Sequence, residues 1–472
     1  NGCSSATENV VVTVNPTPAL SSSLTPADIC SGDVFSYTAT SATAGATFAW
    51  SRALVAGISE AASSGAGNIS ETLTNTTSNP INVTYAYVTT ANGCTSGTEN
   101  VVVTVNPTPA LSSSLSPADI CSGDVFSYTV TSATAGATFA WSRALVAGIS
   151  EAASSGTGSV SETLTNTTTA PIAVTYAYIT TANGCSSATE NVVVTVNPTP
   201  ALSSSLTPAD ICSGDVFSYT ATSATAGATF AWSRAVVLGI SESASSGTGN
   251  ISETLTNTTT APVAVTYNYV TTANGCSSAT ENVVVTVNPT PALSSSLSPA
   301  DICSGDTFSY TATSATAGAT FAWSRALVAG ISEAASSGAG NISETLTNTT
   351  SNPINVTYAY VTTANGCTSG TENVVVTVNP TPALSSSLSP ADICSGDVFS
   401  YTVTSATAGA TFAWSRALVA GISEAASSGT GSVSETLTNT TTAPIAVTYA
   451  YITTANGCSS ATENVVVTVN PT

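Results

Sequence analysis

The stretch "INVTYAYVTTANGCTSGTENVVVTVN", residues 81–106, predicts two β-strands joined by a turn. Apolar residues alternate along both halves, so that one set shares a face of each strand: Ile81, Val83, Tyr85 and Tyr87, then Val101, Val103 and Val105. A period of two indicates a strand with one buried face. The sequence Asn-Gly-Cys at 92–94 is a turn signal between the two strands.

Shorter strands are predicted upstream of this pair. Alternation or β-branched residues mark four segments: "ALSSSL" (19–24), "VFSYTAT" (34–40), "TFAWSR" (47–52) and "NISETLTN" (68–75). Clusters of Pro, Gly, Asn and Asp separate these segments, as turns separate strands. Six or seven short strands in about 90 residues, without an amphipathic helix, are typical of an antiparallel β-sandwich. The fold class we predict is therefore all-β.

The same unit recurs along the chain, because Asn-Gly-Cys begins at residues 1, 92, 183, 274, 365 and 456. A period of 91 residues is too long for one turn of a solenoid and fits a small, independently folding domain. We predict the last strand of a truncated domain at 1–17, followed by five domains at 18–108, 109–199, 200–290, 291–381 and 382–472. The frame is circular, so residues 1–17 could instead begin a permuted domain and leave 456–472 over.

Charge and composition exclude several classes of function. The chain has 26 acidic residues, five basic residues, all Arg, and a net charge of −21. Such a chain repels nucleic acid and anionic lipid. No apolar run approaches the length of a membrane span, so we expect no membrane insertion in this segment. Without His or Lys, a Ser or Cys nucleophile lacks its usual base, and we predict that the chain is not an enzyme.

The eleven cysteines occupy two well-separated positions in each period. Two such cysteines without His do not make an ordinary zinc site. We therefore predict disulfides, which indicate an oxidising, extracellular location.

One charge pair and one aromatic residue are predicted to be structural. Trp50 lies on the third strand and is expected in the core. Continuing the alternation brings Arg52 and Glu71 inward, which predicts an ion pair at the edge of the sandwich. Two ordinary solvated charges at strand ends remain the alternative.

Two acidic positions in each repeat could hold calcium at the domain junctions, because hard cations bind clustered oxygens. In the first two repeats these are Asp28, Asp33, Asp119 and Asp124. Solvated turn residues are the alternative, and no other cofactor is expected. The triplet Asn75-Thr-Thr, which recurs in every repeat, fits a glycosylation sequon.

The blocks "ICSGDVFSYT", "TFAWSRALVAGIS", "GNISETLTNTT", "VTYAYVTTANGC" and "ENVVVTVNPTP" together resemble PKD-like (polycystic-kidney-disease-like) domains. These immunoglobulin-like domains occur in tandem in secreted surface proteins of Bacteroidota, including gliding-associated adhesins. The resemblance covers every repeat. The sequence departs from true PKD domains at residues 50–53, where "WSRA" stands in place of the Trp-Asp-Phe-Gly-Asp-Gly motif.

In an immunoglobulin-type strand order, "DICSGD" lies at the bottom of a domain and "NGC" at the top, about 30 Å apart by strand length. A disulfide needs Cα atoms within about 7 Å. We therefore favour pairing across domain junctions: Cys30–Cys185, Cys121–Cys276, Cys212–Cys367 and Cys303–Cys458. That scheme leaves Cys3, Cys94 and Cys394 unpaired. An intradomain scheme, Cys30–Cys94 through Cys394–Cys458, stays open if the first strand is displaced.

Near-identical domains favour reach and multivalency over a single site. We predict a rod-like stalk that serves as a repeat segment of a large secreted surface adhesin or extracellular filament. Its partners would be neighbouring identical repeats or subunits, and surface glycans. Two alternatives remain: a fibre that self-assembles by β-strand exchange, and a polysaccharide-binding repeat module.

Overall fold

Each repeat is built from eight short β-strands. The computed structural model describes residues 2–472 and shows no helix among them. In the first repeat the strands are β1 (Ile29–Cys30), β2 (Val34–Tyr37), β3 (Thr47–Arg52), β4 (Ser63–Ala66), β5 (Ile69–Thr72), β6 (Ile81–Ala91), β7 (Cys94–Thr95) and β8 (Glu99–Asn106). The fold is therefore all-β, as predicted.

The later repeats have their strands at nearly the same offsets. The second repeat contains Ile120–Cys121, Val125–Tyr128, Thr138–Arg143, Ser154–Thr157, Val160–Thr163, Ile172–Ala182, Cys185–Ser186 and Glu190–Asn197. The third contains Ile211–Cys212, Val216–Tyr219, Thr229–Arg234, Ser245–Thr248, Ile251–Thr254, Val263–Ala273, Cys276–Ser277 and Glu281–Asn288. The fourth contains Ile302–Cys303, Thr307–Tyr310, Thr320–Arg325, Ser336–Ala339, Ile342–Thr345, Ile354–Ala364, Cys367–Thr368 and Glu372–Asn379. The fifth contains Ile393–Cys394, Val398–Tyr401, Thr411–Arg416, Ser427–Thr430, Val433–Thr436, Ile445–Ala455, Cys458–Ser459 and Glu463–Asn470.

The hairpin of β6 and β8 forms the centre of the larger sheet. Its register runs from Ile81 opposite Val105 to Tyr87 opposite Glu99. At the tip, Asn92 and Gly93 both have positive φ, at 52° and 76°. Asn and Gly adopt this conformation most readily, and it matches the twist of a tight hairpin. The Asn-Gly pair therefore closes the turn, as the sequence indicates.

Two sheets face each other across one core. The larger sheet has the order β1-β8-β6-β3-β4, with β7 paired to β6, and the smaller sheet pairs β2 with β5. The second, fourth and fifth repeats have the same orders. Because β3, β6 and β8 lie opposite β2 and β5, the layout is that of an immunoglobulin-like sandwich. One pair departs from the antiparallel expectation, since β1 runs parallel to the end of β8, with Cys30 opposite Asn106.

Two details of the strand prediction were wrong. The segment "ALSSSL" (19–24) forms no strand in the first repeat, because its serine hydroxyls take part in local hydrogen bonds such as Ser23 with the backbone of Thr25. Only single backbone hydrogen bonds tie it to the sandwich, including one from Val102 N–H to Leu24 O. Conversely, Ser63–Ala66 forms β4 although its small residues gave no strand signal.

The core lies between the two sheets and takes the residues that the alternation predicts. The side chains of Tyr85, Tyr87 and Val103 are completely buried, and Phe35 packs on Tyr85 with ring centroids 5.4 Å apart. Burying one large apolar side chain contributes roughly 1.5–3 kcal/mol. Eleven such residues, with Ala39, form the core of the first repeat and hold the two sheets together.

The described residues form two compact units. The first holds residues up to Ser204 with Ala221–Ala231 and Tyr269–Glu281, and the second holds Ser205–Thr220, Trp232–Asn268 and Asn282–Thr472. The first two repeats thus belong to one unit and the last two to the other, while the third contributes to both. In the part of the chain that the structure describes, no helix has the length and hydropathy needed to cross a membrane.

Residues 2–17 form no strand. The segment predicted as the last strand of a preceding domain is exposed over its whole valine run: Val10 (85%), Val11 (87%), Val12 (74%) and Val14 (85%). The closing copy of the same sequence, Glu463–Asn470, instead pairs with Ile445–Ala455 and completes the fifth repeat.

Candidate functional site: the repeat junctions and the buried ion pair

A disulfide joins each repeat to the next. Cys30 ends β1 at the edge of the first repeat, and Cys185 follows the Asn-Gly turn of the second. Their sulfurs are bonded, with Cα atoms 5.6 Å apart and 155 residues between them in sequence. Three further pairs repeat this geometry: Cys121–Cys276, Cys212–Cys367 and Cys303–Cys458. These four are the pairs of the junction scheme.

The parallel pairing of β1 with β8 explains why the disulfide can reach the next repeat. It places Cys30 beside Asn106, the last residue of β8 before the chain enters the second repeat. Two adjacent strand ends therefore face the Asn-Gly turn of that repeat. Asn106 Nδ2 donates a hydrogen bond to Asn183 O at 3.4 Å, alongside the disulfide. Cys30 therefore lies at the Asn106 end of the sheet, whereas Cys94 pairs with Ala91 at the opposite end, so the intradomain pair cannot form.

The same hydrogen bond recurs at every junction. It joins Asn197 to Asn274, Asn288 to Asn365, and Asn379 to Asn456 at 3.3–3.4 Å. Asn15 Nδ2 makes it to Asn92 O at 3.0 Å, although no disulfide accompanies that contact. Sequence reasoning missed this contact, because every residue of a near-identical repeat recurs and none of these asparagines stands out.

The unpaired cysteines are Cys3, Cys94 and Cys394. They are the three that the junction scheme leaves over. Cys3 and Cys394 are exposed, whereas the bonded Cys185 is 2% exposed.

The aspartates proposed as calcium ligands lie in the turn that carries the cysteine. Asp33 Oδ2 accepts a hydrogen bond from Cys30 N–H at 3.1 Å, and Asp124 does the same for Cys121 at 3.2 Å. Asp28 and Asp119 are exposed nearby in sequence. Among residues 2–472 no three His, Cys, Asp or Glu side chains are grouped so as to hold a metal ion. Asp33 thus fixes the turn that presents Cys30, and calcium binding stays a prediction.

The structure brings Arg52 and Glu71 together inside the sandwich. Arg52 Nε lies 3.1 Å from Glu71 Oε2, with side chains 1% and 19% exposed. Arg52 is on the larger sheet and Glu71 on the smaller, so the pair connects the two. Tyr85 OH donates to the same carboxylate oxygen at 2.6 Å, and Arg52 Nη2 donates to Ala61 O at 2.6 Å. The other four repeats contain the same pair at 2.9–3.1 Å.

These contacts change the acidity of the groups. Burial alone raises the pKa of Glu71, but the neighbouring Ser63 hydroxyl, the hydrogen bonds from Tyr85 and Arg52 and the charge of Arg52 outweigh it and lower the pKa below its ordinary value. Burial and the neighbouring Glu71 carboxylate raise the pKa of Tyr85. Burial also raises the pKa of Tyr87 to about 12. Glu71 is therefore an anion and Tyr85 a neutral donor at neutral pH.

Trp50, predicted as a core residue, is half-buried and packs against the edge of the core. Its ring lies edge-on to Tyr85, with centroids 5.6 Å apart and planes at 73°. The other side faces Gly65, where an added Cβ would come within 2.6 Å of Trp50 Cζ2. The close approach needs glycine at this position of β4.

The recurring sequon is buried. Asn75 is 6% exposed, and its Nδ2 donates to Asn79 O and Val105 O, both at 2.8 Å. Both amide hydrogens are thus used inside the fold, which makes Asn75 unavailable for glycosylation. Its role is to tie the loop after β5 to the end of β8.

The family of PKD-like domains matches the chain five times, at residues 27–109, 118–200, 209–291, 300–382 and 391–472. No curated protein sequence matches it.

Solved structures with tandem domains are similar at low identity. A three-immunoglobulin-domain titin variant is 14% identical, with 58% of this chain and 98% of that chain covered and a TM-score of 0.31. Sidekick-1 immunoglobulin domains 1–5 are 10% identical (96% and 99% covered, TM-score 0.23), and the human desmocollin-1 ectodomain is 11% identical (90% and 92% covered, TM-score 0.23). The five family matches span most of the sequence, and the chain therefore belongs to the PKD-like domain family.

Proposed function

We propose that the chain is a structural repeat segment of a large secreted bacterial surface adhesin or extracellular filament. It forms a stiff, disulfide-braced stalk that supplies reach and multivalent adhesion. The observation that carries this proposal is the disulfide at each of the four junctions between the five repeats.

Stiffness follows from the way one repeat is attached to the next. Two covalent connections cross the first junction, the backbone after Asn106 and the disulfide from Cys30, and the hydrogen bond to Asn183 adds a third contact. Prolines at 107 and 109 restrict the backbone connection further. A joint held at adjacent points resists bending more than a single flexible linker does.

Location and partners follow from chemistry and from the resemblance. Disulfides persist in oxidising, extracellular environments. PKD-like domains of this type resemble those of Bacteroidota surface proteins, which supports attachment to a cell surface. Neighbouring repeats or subunits are the first partners, with surface glycans as ligands of the adhesin. The net charge of −21 disfavours nucleic acid. An immunoglobulin-like repeat fold is typical of structural and adhesion proteins, and we propose no enzymatic role.

Small-angle X-ray scattering tests the stalk. The control is a variant in which all eight bonded cysteines are replaced by serine. We expect the oxidised chain to scatter as one conformation with a constant maximum dimension. The variant should show a broad distribution of dimensions, because its junctions can bend. Superimposable curves for the two proteins would contradict the proposed role of the disulfides.

Strand exchange is a second candidate, favoured by one observation. Residues 8–15 expose Val10, Val11 and Val14 by 85% or more, whereas Val101 and Val105, the counterparts of Val10 and Val14 in the first repeat, are completely buried. An exposed β-branched strand can add to the sheet of another molecule. Sedimentation over a wide concentration range tests this, with Val12→Asp as the matched variant. Wild-type chain that stays monomeric at the highest concentration would exclude it.

A further inference from the structure

The four disulfides overlap along the sequence. Each closes a loop of 155 residues, but the repeats recur every 91 residues, so each new loop opens before the previous one closes. The loop closed by Cys30–Cys185 contains Cys121, whose partner Cys276 lies outside it. Beads with internal disulfides would have no such overlap.

Because of this overlap, two series of disulfides, linked by short backbone segments, run along the array. From Cys30 a path crosses to Cys185, follows a short segment to Cys212 and crosses again to Cys367. Alternate disulfides belong to alternate paths: Cys30–Cys185 and Cys212–Cys367 to one, Cys121–Cys276 and Cys303–Cys458 to the other.

We propose that the interlaced disulfides make the array a two-path covalent cable, whose length under tension is limited by the disulfides and not by the folding of the repeats. The inference extends the stalk proposed above to a load-bearing function. It rests on the connectivity of the cysteines alone.

Chain length sets the limit. At ~3.6 Å per residue, the segment of about 27 residues from Cys185 to Cys212 reaches ~97 Å when taut. The backbone from Cys30 to Cys212, about 182 residues, would reach ~655 Å. The disulfide therefore carries the load long before the bypassed repeats could extend.

The same count gives the length of the whole chain. From residue 2 to residue 472 the shortest covalent path uses three disulfides and about 133 residues, ~48 nm when taut. The reduced chain counts about 470 residues and reaches ~170 nm. Two routes share the shorter length. Both use Cys30–Cys185 and Cys303–Cys458, and they differ in the middle disulfide, which is Cys121–Cys276 in one and Cys212–Cys367 in the other. Either of these disulfides can therefore be lost without lengthening the cable.

Single-molecule force spectroscopy on the 472-residue chain, held at its two ends, tests the proposal. All variants carry serine at positions 3, 94 and 394 to prevent disulfide exchange. We expect a contour length of about 48 nm when oxidised and about 170 nm in reducing agent. Because the length is read from the fully extended chain, a variant that folds poorly is still informative. Non-reducing peptide mapping checks that the remaining pairs are intact.

Three disulfide deletions supply the sharper test. Cys121→Ser with Cys276→Ser should leave the length unchanged. Cys30→Ser with Cys185→Ser should add about 27 residues, ~10 nm, and the four substitutions together about 155 residues, ~56 nm. The effects are far from additive, because each path replaces the other.

Two results would overturn the cable. Independent, additive lengthening would mean that the disulfides act in series. A gain of about 128 residues (~46 nm) on removing Cys121 and Cys276 would indicate intradomain pairing, because Cys121–Cys185 and Cys212–Cys276 would then both be lost. The force measurement tests the cable, whereas the scattering experiment tests the stiffness of the stalk, so the two proposals can fail independently. A chain that bends freely without load could still reach a fixed limit under tension, and that result would reject the stiff stalk while keeping the cable.

Discussion

The sequence "ENVVVTVN" has two structures in this chain. At residues 99–106 it is the strand β8, paired on both sides, and Val101, Val103 and Val105 are completely buried. At residues 8–15 the same eight residues form no strand, and Val12 is 74% exposed. Apolar and polar residues alternate identically in the two copies, so the alternation cannot explain why only one of them is a strand.

The difference is the partner strand. Within the repeat, β6 pairs with β8 from Glu99 to Val105, β1 pairs with its last two residues, and the smaller sheet covers its inward-facing valines. Fixing one backbone residue costs about 1–2 kcal/mol, which only pairing and burial can offset. Residues 8–15 have neither, so their pattern has no structural effect. The pattern makes a strand possible, and long-range contacts make it form.

The largest difference in stability is expected when a charged residue replaces the same valine in each of the two copies. Val103→Asp buries an unpaired carboxylate between the sheets and should destabilise its repeat by about 4 kcal/mol or more. Val12→Asp, the same change 91 residues earlier, should alter stability by less than about 0.5 kcal/mol. Amide hydrogen exchange of the first repeat measures both. Equal protection in the two variants would contradict the role of the partner strand.

Burial should also decide how much a charged side chain contributes to stability, as a comparison of the buried Glu71 with the exposed Asp28 can test. Glu71→Gln leaves the Arg52 guanidinium buried without its counter-charge, and we expect a loss of about 3 kcal/mol. Asp28→Asn is the control, since Asp28 is exposed and the change should be near zero. Denaturant unfolding monitored by exchange in the first repeat gives both values. A small effect at Glu71 would mean that water replaces the lost charge.

The same pair predicts a pH dependence. Because the folded pKa of Glu71 lies below its ordinary value, the folded state binds fewer protons than the unfolded state in acid. The stabilisation is complete above about pH 4.3 and is lost as the pH falls through the folded pKa. The loss should not exceed that of Glu71→Gln, since protonation keeps the carboxyl in place. Unfolding free energies between pH 7 and pH 2 test this, and a Glu71→Gln repeat should show the smaller slope.

The smallest effect is expected where one methyl group is added. Gly65→Ala places a Cβ 2.6 Å from Trp50 Cζ2, and the strain should amount to about 1–2 kcal/mol. Gly97→Ala is the matched control, because nothing lies within 4 Å of that position. Thermal unfolding and the tryptophan fluorescence of the two variants give the result. An unchanged unfolding temperature and fluorescence for Gly65→Ala would mean that the Trp50 indole moves aside at little cost in free energy.

Much of one repeat could be predicted from the sequence. Alternation placed Tyr85 and Val103 in the core and turned Arg52 and Glu71 inward, because side-chain direction in a strand depends only on residue parity. The 91-residue period predicted the five repeats. What parity cannot give is a hydroxyl position, so Tyr85 and Ser63 were not expected beside Glu71.

Three features were decided only by the tertiary structure. Ser63–Ala66 became a strand because β3 offered it an open edge, and "ALSSSL" did not because its serines bond locally and only single backbone hydrogen bonds tie it to the sandwich. The parallel pairing of β1 with β8 brought Cys30 to the end of its repeat, and so chose the junction disulfide from two schemes that the sequence left open. Parity is a local property of the backbone, whereas a partner strand or a partner cysteine is a contact across many residues, and only the packed chain determines it.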